Sequence, residues 1–224
     1  MKIKKNLLSV SIAVALLAAS SQASAFTTSV TGGSFSSQAG ALNIDFGVSS
    51  VNNTGPVGGL GSGADLVYSG SGGGVSYTYT GGALYNMDAT HSPINGITAR
   101  PVGSAGNFYS VGTSPAAQTG PAEVTFSSGL RYFGLLWGSP DTYNAVSFYN
   151  GSTLLGSYTG SVILNPANGN QSVAGYFNAF AQGNEMITQV RFASSNNALE
   201  TDNHSYIAAA PIPEPETYAM LLAG

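Results

Sequence analysis

The sequence predicts an all-β protein, a two-sheet antiparallel β-sandwich that could be a jelly roll. Three observations predict it. Short stretches of alternating apolar and polar residues recur between clusters of Gly, Pro, Asn and Ser. No amphipathic helix pattern appears after residue 25. An Asn-Gly pair, Asn150-Gly151, separates two extended runs, Val146–Tyr149 and Thr153–Leu155, which marks a hairpin with a type I′ turn.

In chain order, Ala41–Val48 alternates in its middle as a half-buried strand does. Ser49–Gly74 is rich in Gly and Ser around Pro56 and reads as a surface loop, although Asp65–Tyr68 within it has strand character. Val75–Thr80 is rich in residues that suit a pleated surface. Asn107–Val111, Glu123–Ser127, Val173–Ala179 and Met186–Ala193 are further strands. Arg131–Trp137 is apolar on both alternating faces, as a central buried strand should be. Trp137 shares a face with Phe133 and Leu135, which points to the core. Tyr143 and Tyr149 lie opposite Val146 and Phe148 and are better candidates for exposure.

Composition narrows the function. The 224 residues include 30 Gly and no Cys, and charged residues make up 7%. Without cysteine the fold has no disulfide and no thiolate for metal or catalysis. Three of the six basic residues, Lys2, Lys4 and Lys5, stand at the chain start, leaving Arg100, Arg131 and Arg191 against eight acids between residues 26 and 212. So few cations cannot track a phosphate backbone, so nucleic acid is not an expected partner.

The ends carry targeting signals. The three lysines precede an apolar run, Leu7–Ala19, and then Ala23-Ser24-Ala25. This is the order of a signal peptide over residues 1–25, cleaved by signal peptidase so that the mature chain starts at Phe26. The apolar run is shorter than the roughly 20 residues of a membrane span. About 185 residues remain, enough for one core and one domain over 26–208. Residues 209–224 form a proline-stiffened linker running into an apolar helix start.

Catalytic signals are sparse. His91 and His204 lie far apart in loop-like contexts and fit no metal spacing, so both read as exposed side chains. No Gly-x-Ser-x-Gly elbow occurs. Glu123, Asp141 and Glu185 could supply a carboxylate pair only if the fold brought them together. Gly59-x-Gly61-x-x-Ala64 fits a loose dinucleotide fingerprint, but a strand rather than a helix follows it. No enzyme is expected.

Two resemblances refine these expectations. Pro213-Glu214-Pro215, followed by Thr-Tyr-Ala-Met-Leu-Leu222, resembles the PEP-CTERM sorting signal of exosortase-processed bacterial proteins. In that family a membrane span and an arginine-rich end follow the motif, and this chain stops at Gly224 before either. Ala99–Gly112, Tyr132–Phe148 and Ser194–Asn203 are similar to segments of an exosortase-dependent surface protein family, with Leu199 and Thr201 departing from its usual pattern. The resemblance implies an exported protein of the bacterial cell envelope surface or extracellular matrix. An exosortase-type enzyme would be its partner, and a link to exopolysaccharide or biofilm is implied by association.

Two functions from different classes follow. One is a non-enzymatic structural or adhesive surface protein. The other is a carbohydrate-binding module of β-sandwich type, with Trp137, Tyr143 and Tyr149 as a sugar-stacking platform for a polysaccharide. No cofactor is required, and a structural calcium is one candidate, set against a solvated acidic pair or a turn capped by Asp202. Glu200 and Asp202 share a face if Leu199–Tyr206 is extended, and Asp45 on an early strand could join them.

Overall fold

The computed structural model describes residues 26–47, 66–86, 97–112 and 122–209. The signal segment with Ala23 and Ala25, the sorting motif Pro213-Glu214-Pro215, His91, the glycine fingerprint at 59–64 and both flanking helices lie outside these residues. Among the described residues no helix is long and apolar enough to cross a membrane.

The described residues form twelve antiparallel strands and a single 3₁₀ turn at Gly160–Val162. The strands are β1 (Thr27–Thr31), β2 (Leu42–Asn43), β3 (Val67–Gly72), β4 (Val75–Thr80), β5 (Ala83–Asn86) and β6 (Asn107–Val111). They continue with β7 (Ala122–Gly138), β8 (Asn144–Asn150), β9 (Thr153–Thr159), β10 (Ala174–Phe180), β11 (Ile187–Ser194) and β12 (Leu199–Ala208).

Where two separate sheets were expected, hydrogen bonds join all twelve strands into one. The reason is β7, which fuses the expected Glu123–Ser127 and Arg131–Trp137 strands into a single strand of 17 residues. Its first half lies between β4 (Thr80↔Glu123) and β11 (Arg191↔Glu123). Its second half lies between β10 (Gly175↔Trp137) and β12 (Thr201↔Trp137). The exchange of partners spans Ser127–Gly129, small residues that let the strand change direction. One branch therefore reads β3-β4-β7-β11-β8-β9, and the other β1-β10-β7-β12-β6-β5, with β2 beside β6 on β12.

Both branches turn apolar residues into a common core. Rings meet across them: Phe148 stacks on Phe177 with centroids 6.0 Å apart, and Tyr109 meets Phe192 edge-on at 5.2 Å. Trp137 is fully buried there, 6.2 Å from Phe177. A smaller apolar cluster of Ala83, Tyr85 and Phe108 sits under Ile97 on the outer side of β5 and β6.

Several local readings change. Of the expected Ala41–Val48 strand, Leu42 and Asn43 pair with β12 and the Ile44 N–H donates to the His204 carbonyl at 2.7 Å; Ile44 and Phe46 are buried, Asp45 between them is exposed, and Val48 lies outside the described residues. The loop expected to run to Gly74 gives way at Val67 to a hairpin. Its two-residue turn is Gly73-Gly74, and both have positive φ, as a type I′ turn requires. The β8–β9 hairpin exists, but Asn150 pairs with Thr153, so its turn residues are Gly151 and Ser152. Among these the positive φ falls on Gly151 alone, the signature of type II′ rather than I′.

Candidate functional site

The site grows from the course of β12. Leu199 and Thr201 face the core, and Glu200 and Asp202 face the opposite side. The ladder with β7 then breaks between Asp202 and Ser205. Asn203 takes a positive φ of 48° at this bulge, a conformation Asn tolerates better than most residues. The extra residue returns His204 to the core side.

His204 corrects the expectation of an exposed loop side chain, because it is fully buried. Its Nδ1 pairs with the Tyr79 hydroxyl at 2.7 Å and its Nε2 with Thr201 Oγ1 at 2.9 Å. Its ring lies nearly parallel to Phe192, 5.6 Å away. Burial depresses its pKa to about 3, so the ring is a neutral core group.

Two segments border β12: Leu42 and Asn43 of the first pair with Tyr206 and Ser205 along its edge, and Thr98 and Ala99 of the second lie over the outward Glu200. Beneath the second, Glu200 Oε1 accepts the Ala99 backbone N–H at 3.0 Å and the Thr98 hydroxyl at 3.4 Å. Its Oε2 is buried without a partner. Burial holds this carboxyl well above the usual range, against the pull of those two donors. Glu200 is thus sealed under Thr98 and Ala99.

Asp202 stands differently. It lines a cavity of about 290 Å³ together with Phe35, Asn43, Asp45, Asn107 and Asn203. Asp202 is only 4% exposed, and its Oδ2 is buried with no hydrogen-bond partner. Burial raises its pKa to about 7; the Asn203 backbone N–H and Ser104 hydroxyl oppose the rise, Asp45 adds to it, and Arg100 opposes it. Asp45 Oδ1 accepts the Gly47 N–H at 2.8 Å, and the Asp45 carbonyl accepts the Tyr68 hydroxyl. Asn107 is a wall group: its Nδ2 donates to the Phe46 carbonyl at 2.8 Å and its Oδ1 accepts from Asn86 at 3.0 Å. Asn203 Nδ2 donates to the Ser34 carbonyl at 2.7 Å. Phe35 stands at the rim with 60% of its surface exposed.

Of the three expected calcium ligands, then, the structure brings Asp45 and Asp202 to one cavity and leaves Glu200 outside its lining. Among the described residues no group of three or more His, Cys, Asp or Glu converges as a metal cluster. The expected stacking platform of Trp137, Tyr143 and Tyr149 does not form. Trp137 has no exposed surface because it is packed against Phe177 in the core. Tyr143 is half-buried at a turn, its hydroxyl donating to the Asn197 carbonyl at 2.9 Å. Tyr149 is half-buried on β8, with the Arg191 guanidinium over its ring at 4.6 Å. Glu123 lies near the start of β7 and Asp141 beyond its other end, with roughly 50 Å of strand path between Glu123 and Gly138 at 3.3 Å per residue. Glu123 is engaged with Arg191 at 3.2 Å.

The exposed ring the sequence reading missed is Phe35. Its signal was an isolated aromatic between Gly32-Gly33-Ser34 and Ser36-Ser37, with no alternating apolar neighbours to place it on the inner face of a strand. No protein-family model matches the chain, and neither a curated protein nor a solved structure is significantly similar to it.

Proposed function

We propose that the chain is an exported, non-enzymatic surface protein that binds a carbohydrate of the extracellular matrix in the cavity beside β12. The observation that carries this reading is the exposed Phe35 ring at the rim of a cavity lined by Asn43, Asp45, Asp202 and Asn203. A sugar presents a C–H face and a set of neighbouring hydroxyls. An aromatic ring covers the former, and planar carboxylate and amide groups take the latter in pairs. A cavity of about 290 Å³ suits one sugar unit of a chain rather than an extended segment. Two carboxylates in it favour a neutral or amino sugar over an acidic one.

The sandwich architecture belongs to this reading. Its support is the division of the sheet into two branches that share β7, with rings from each meeting the other in one core. Export is supported by the basic start, the apolar run and the Ala23–Ala25 site, and surface sorting by Pro213-Glu214-Pro215. The ends of the described domain also suit a tether. Thr27 pairs with Phe180, Phe180 with Tyr132, and Tyr132 with Ile207, so the start of β1 and the end of β12 lie at the same end of the sheet, three strand spacings apart. Asp202 lies six positions before Ala208 on β12, which sets the cavity about 20 Å from the tail exit at 3.3 Å per residue.

A glycan array probed with the protein, followed by calorimetry on the best neutral or amino sugars, tests the reading. Phe35→Ala and Asn43→Ala should each weaken binding at least tenfold while the melting temperature stays within about 2 °C of the parent, because both side chains are exposed. An array without hits, or binding untouched by both substitutions, would overturn it.

A further inference from the structure

We propose that β3 is a dimerisation edge, to which a second copy of this chain adds its own β3 antiparallel and so continues the sheet. The first support is the direction of the backbone groups. The Gly73-Gly74 turn makes Gly72 and Val75 a hydrogen-bonded pair, and bonded and non-bonded pairs alternate from there along the hairpin. Tyr68, Gly70 and Gly72 therefore direct their N–H and C=O groups to β4, whereas Val67, Ser69 and Ser71 direct theirs away from the sheet. The neighbouring strand obeys the same alternation. Ser76, opposite Ser71, turns its N–H away from β3 to Ser127 Oγ at 2.9 Å. Among the described residues β3 pairs with β4 alone, and no backbone group meets the outward side of Val67, Ser69 or Ser71.

The second support is the lack of edge protection. Exposed edges of monomeric proteins are blunted by charge, proline or a bulge. The sequence of β3, Val-Tyr-Ser-Gly-Ser-Gly, contains neither charge nor proline, and its ladder with β4 runs without a register shift. Val67 at its start is 59% exposed. The other branch ends differ. The β8–β9 ladder shifts register between Phe148 and Tyr149, which bends the β9 edge. All of β5 is buried, and the Ser29 carbonyl of β1 accepts Asn178 Nδ2 at 3.4 Å.

Register selects the occupant. The outward residues Val67, Ser69 and Ser71 are spaced evenly, so a two-fold axis at Ser69 sets that residue opposite itself and Val67 opposite Ser71 of the second copy. The outward N–H groups of each copy then meet the outward carbonyls of the other. On the inner face Gly70 falls opposite Tyr68 of the second copy, so two large side chains do not collide. Neither β3 nor β4 carries charge, so no like charges face each other across the axis. The contact is small, which places the dissociation constant on the order of 10⁻⁵–10⁻⁴ M. Because the Tyr68 hydroxyl donates to the carbonyl of the cavity residue Asp45, pairing would bring two cavities to one particle. The pairing itself does not rest on carbohydrate binding and is measured without any sugar.

The test is sedimentation equilibrium of the full chain from about 1 to 300 µM, over which the mass should rise from one copy toward two. Ser69→Lys sets like charges opposite each other at the axis and should weaken the dimer at least tenfold. Its melting temperature at low concentration should stay within about 2 °C of the parent, because Ser69 is exposed. The chain has no cysteine, so single introduced thiols report the register. Opposed Cα atoms of a hydrogen-bonded pair are about 5.5 Å apart, within disulfide reach. Under mild oxidation Ser69→Cys should give a covalent dimer. Ser71→Cys, offset from its counterpart by roughly 13 Å along the strand, should not. A chain that stays monomeric at about 300 µM would overturn the proposal. So would a dimer indifferent to Ser69→Lys, or equal cross-linking at the two positions.

Discussion

The Tyr79 hydroxyl meets Nδ1 of His204 at 2.7 Å, a contact that ties β4 in one branch of the sheet to β12 in the other. The ring accepts no charge there: burial depresses its pKa from 6.5 to about 3. The neutral ring's contribution is fully present above pH 6.5 and is lost as pH falls from 6.5 toward 3, because the unfolded chain then binds a proton the folded one refuses. His204→Gln should be less stable than the parent at pH 8, from lost ring packing. The gap should narrow by about 1.4 kcal/mol per pH unit below 6.5. Denaturant melts at pH 8, 6 and 4.5 measure it, and a gap that does not change with pH would refute the assignment.

Asp202 has the opposite sign. Its folded pKa of about 7 exceeds the unfolded 3.8, so its contribution is fully present below about pH 4 and is lost as pH rises to 7. Asp202→Asn should therefore gain on the parent across that window, by roughly 2–4 kcal/mol at neutral pH. Urea melts of both proteins at pH 4 and pH 7 measure the gain, and a difference that does not change with pH would refute the assignment.

Trp137→Ala should destabilise the fold by about 3–5 kcal/mol, the range for truncating a fully buried large aromatic. Tyr143→Phe removes the hydroxyl that donates to the Asn197 carbonyl and interacts with Asp141, and should lose about 1 kcal/mol. Chemical denaturation of both variants checks the contrast between a core ring and a half-buried one.

Gly138 connects the fold to the site. A Cβ there would stand 2.7 Å from the Pro101 Cα, a backbone atom that cannot rotate away. Gly138→Ala should push the 97–107 segment off the end of β7 and destabilise the protein by about 1–3 kcal/mol. Because that segment covers Glu200 and borders the cavity through Ala105, sugar binding there should weaken too. A variant with parent-like melting and binding would show that the segment yields without consequence.

How much of this was legible beforehand varies with the range of the interaction concerned. Val75–Thr80 and Asn107–Val111 coincide with β4 and β6, and the burial of Trp137 followed from alternation along Arg131–Trp137. These depend on period-two patterning, which is local. β1 and β5 escaped notice because they are short and carry little pattern of their own: Thr27–Thr31 is defined by its pairing with β10, and Ala83–Asn86 by its pairing with β6. The type of the β8–β9 turn escaped too, since register decided which two residues bridge it.

The amino-acid sequence by itself determined an antiparallel β protein, poor in charge and free of cysteine, with Asp45 and Asp202 as acids on early and late segments. Each of these is a property of residue type or of near neighbours in the chain. Only the tertiary structure decided that β7 serves both branches, that a bulge at Asn203 turns His204 inward, and that Asp202 reaches Asp45 while Glu200 is sealed beneath Thr98 and Ala99. Glu200 and Asp202 share a face of one strand, so nothing local distinguishes them. What lies over each is set by segments about 100 or more residues distant, whose closure is a matter of packing rather than pattern.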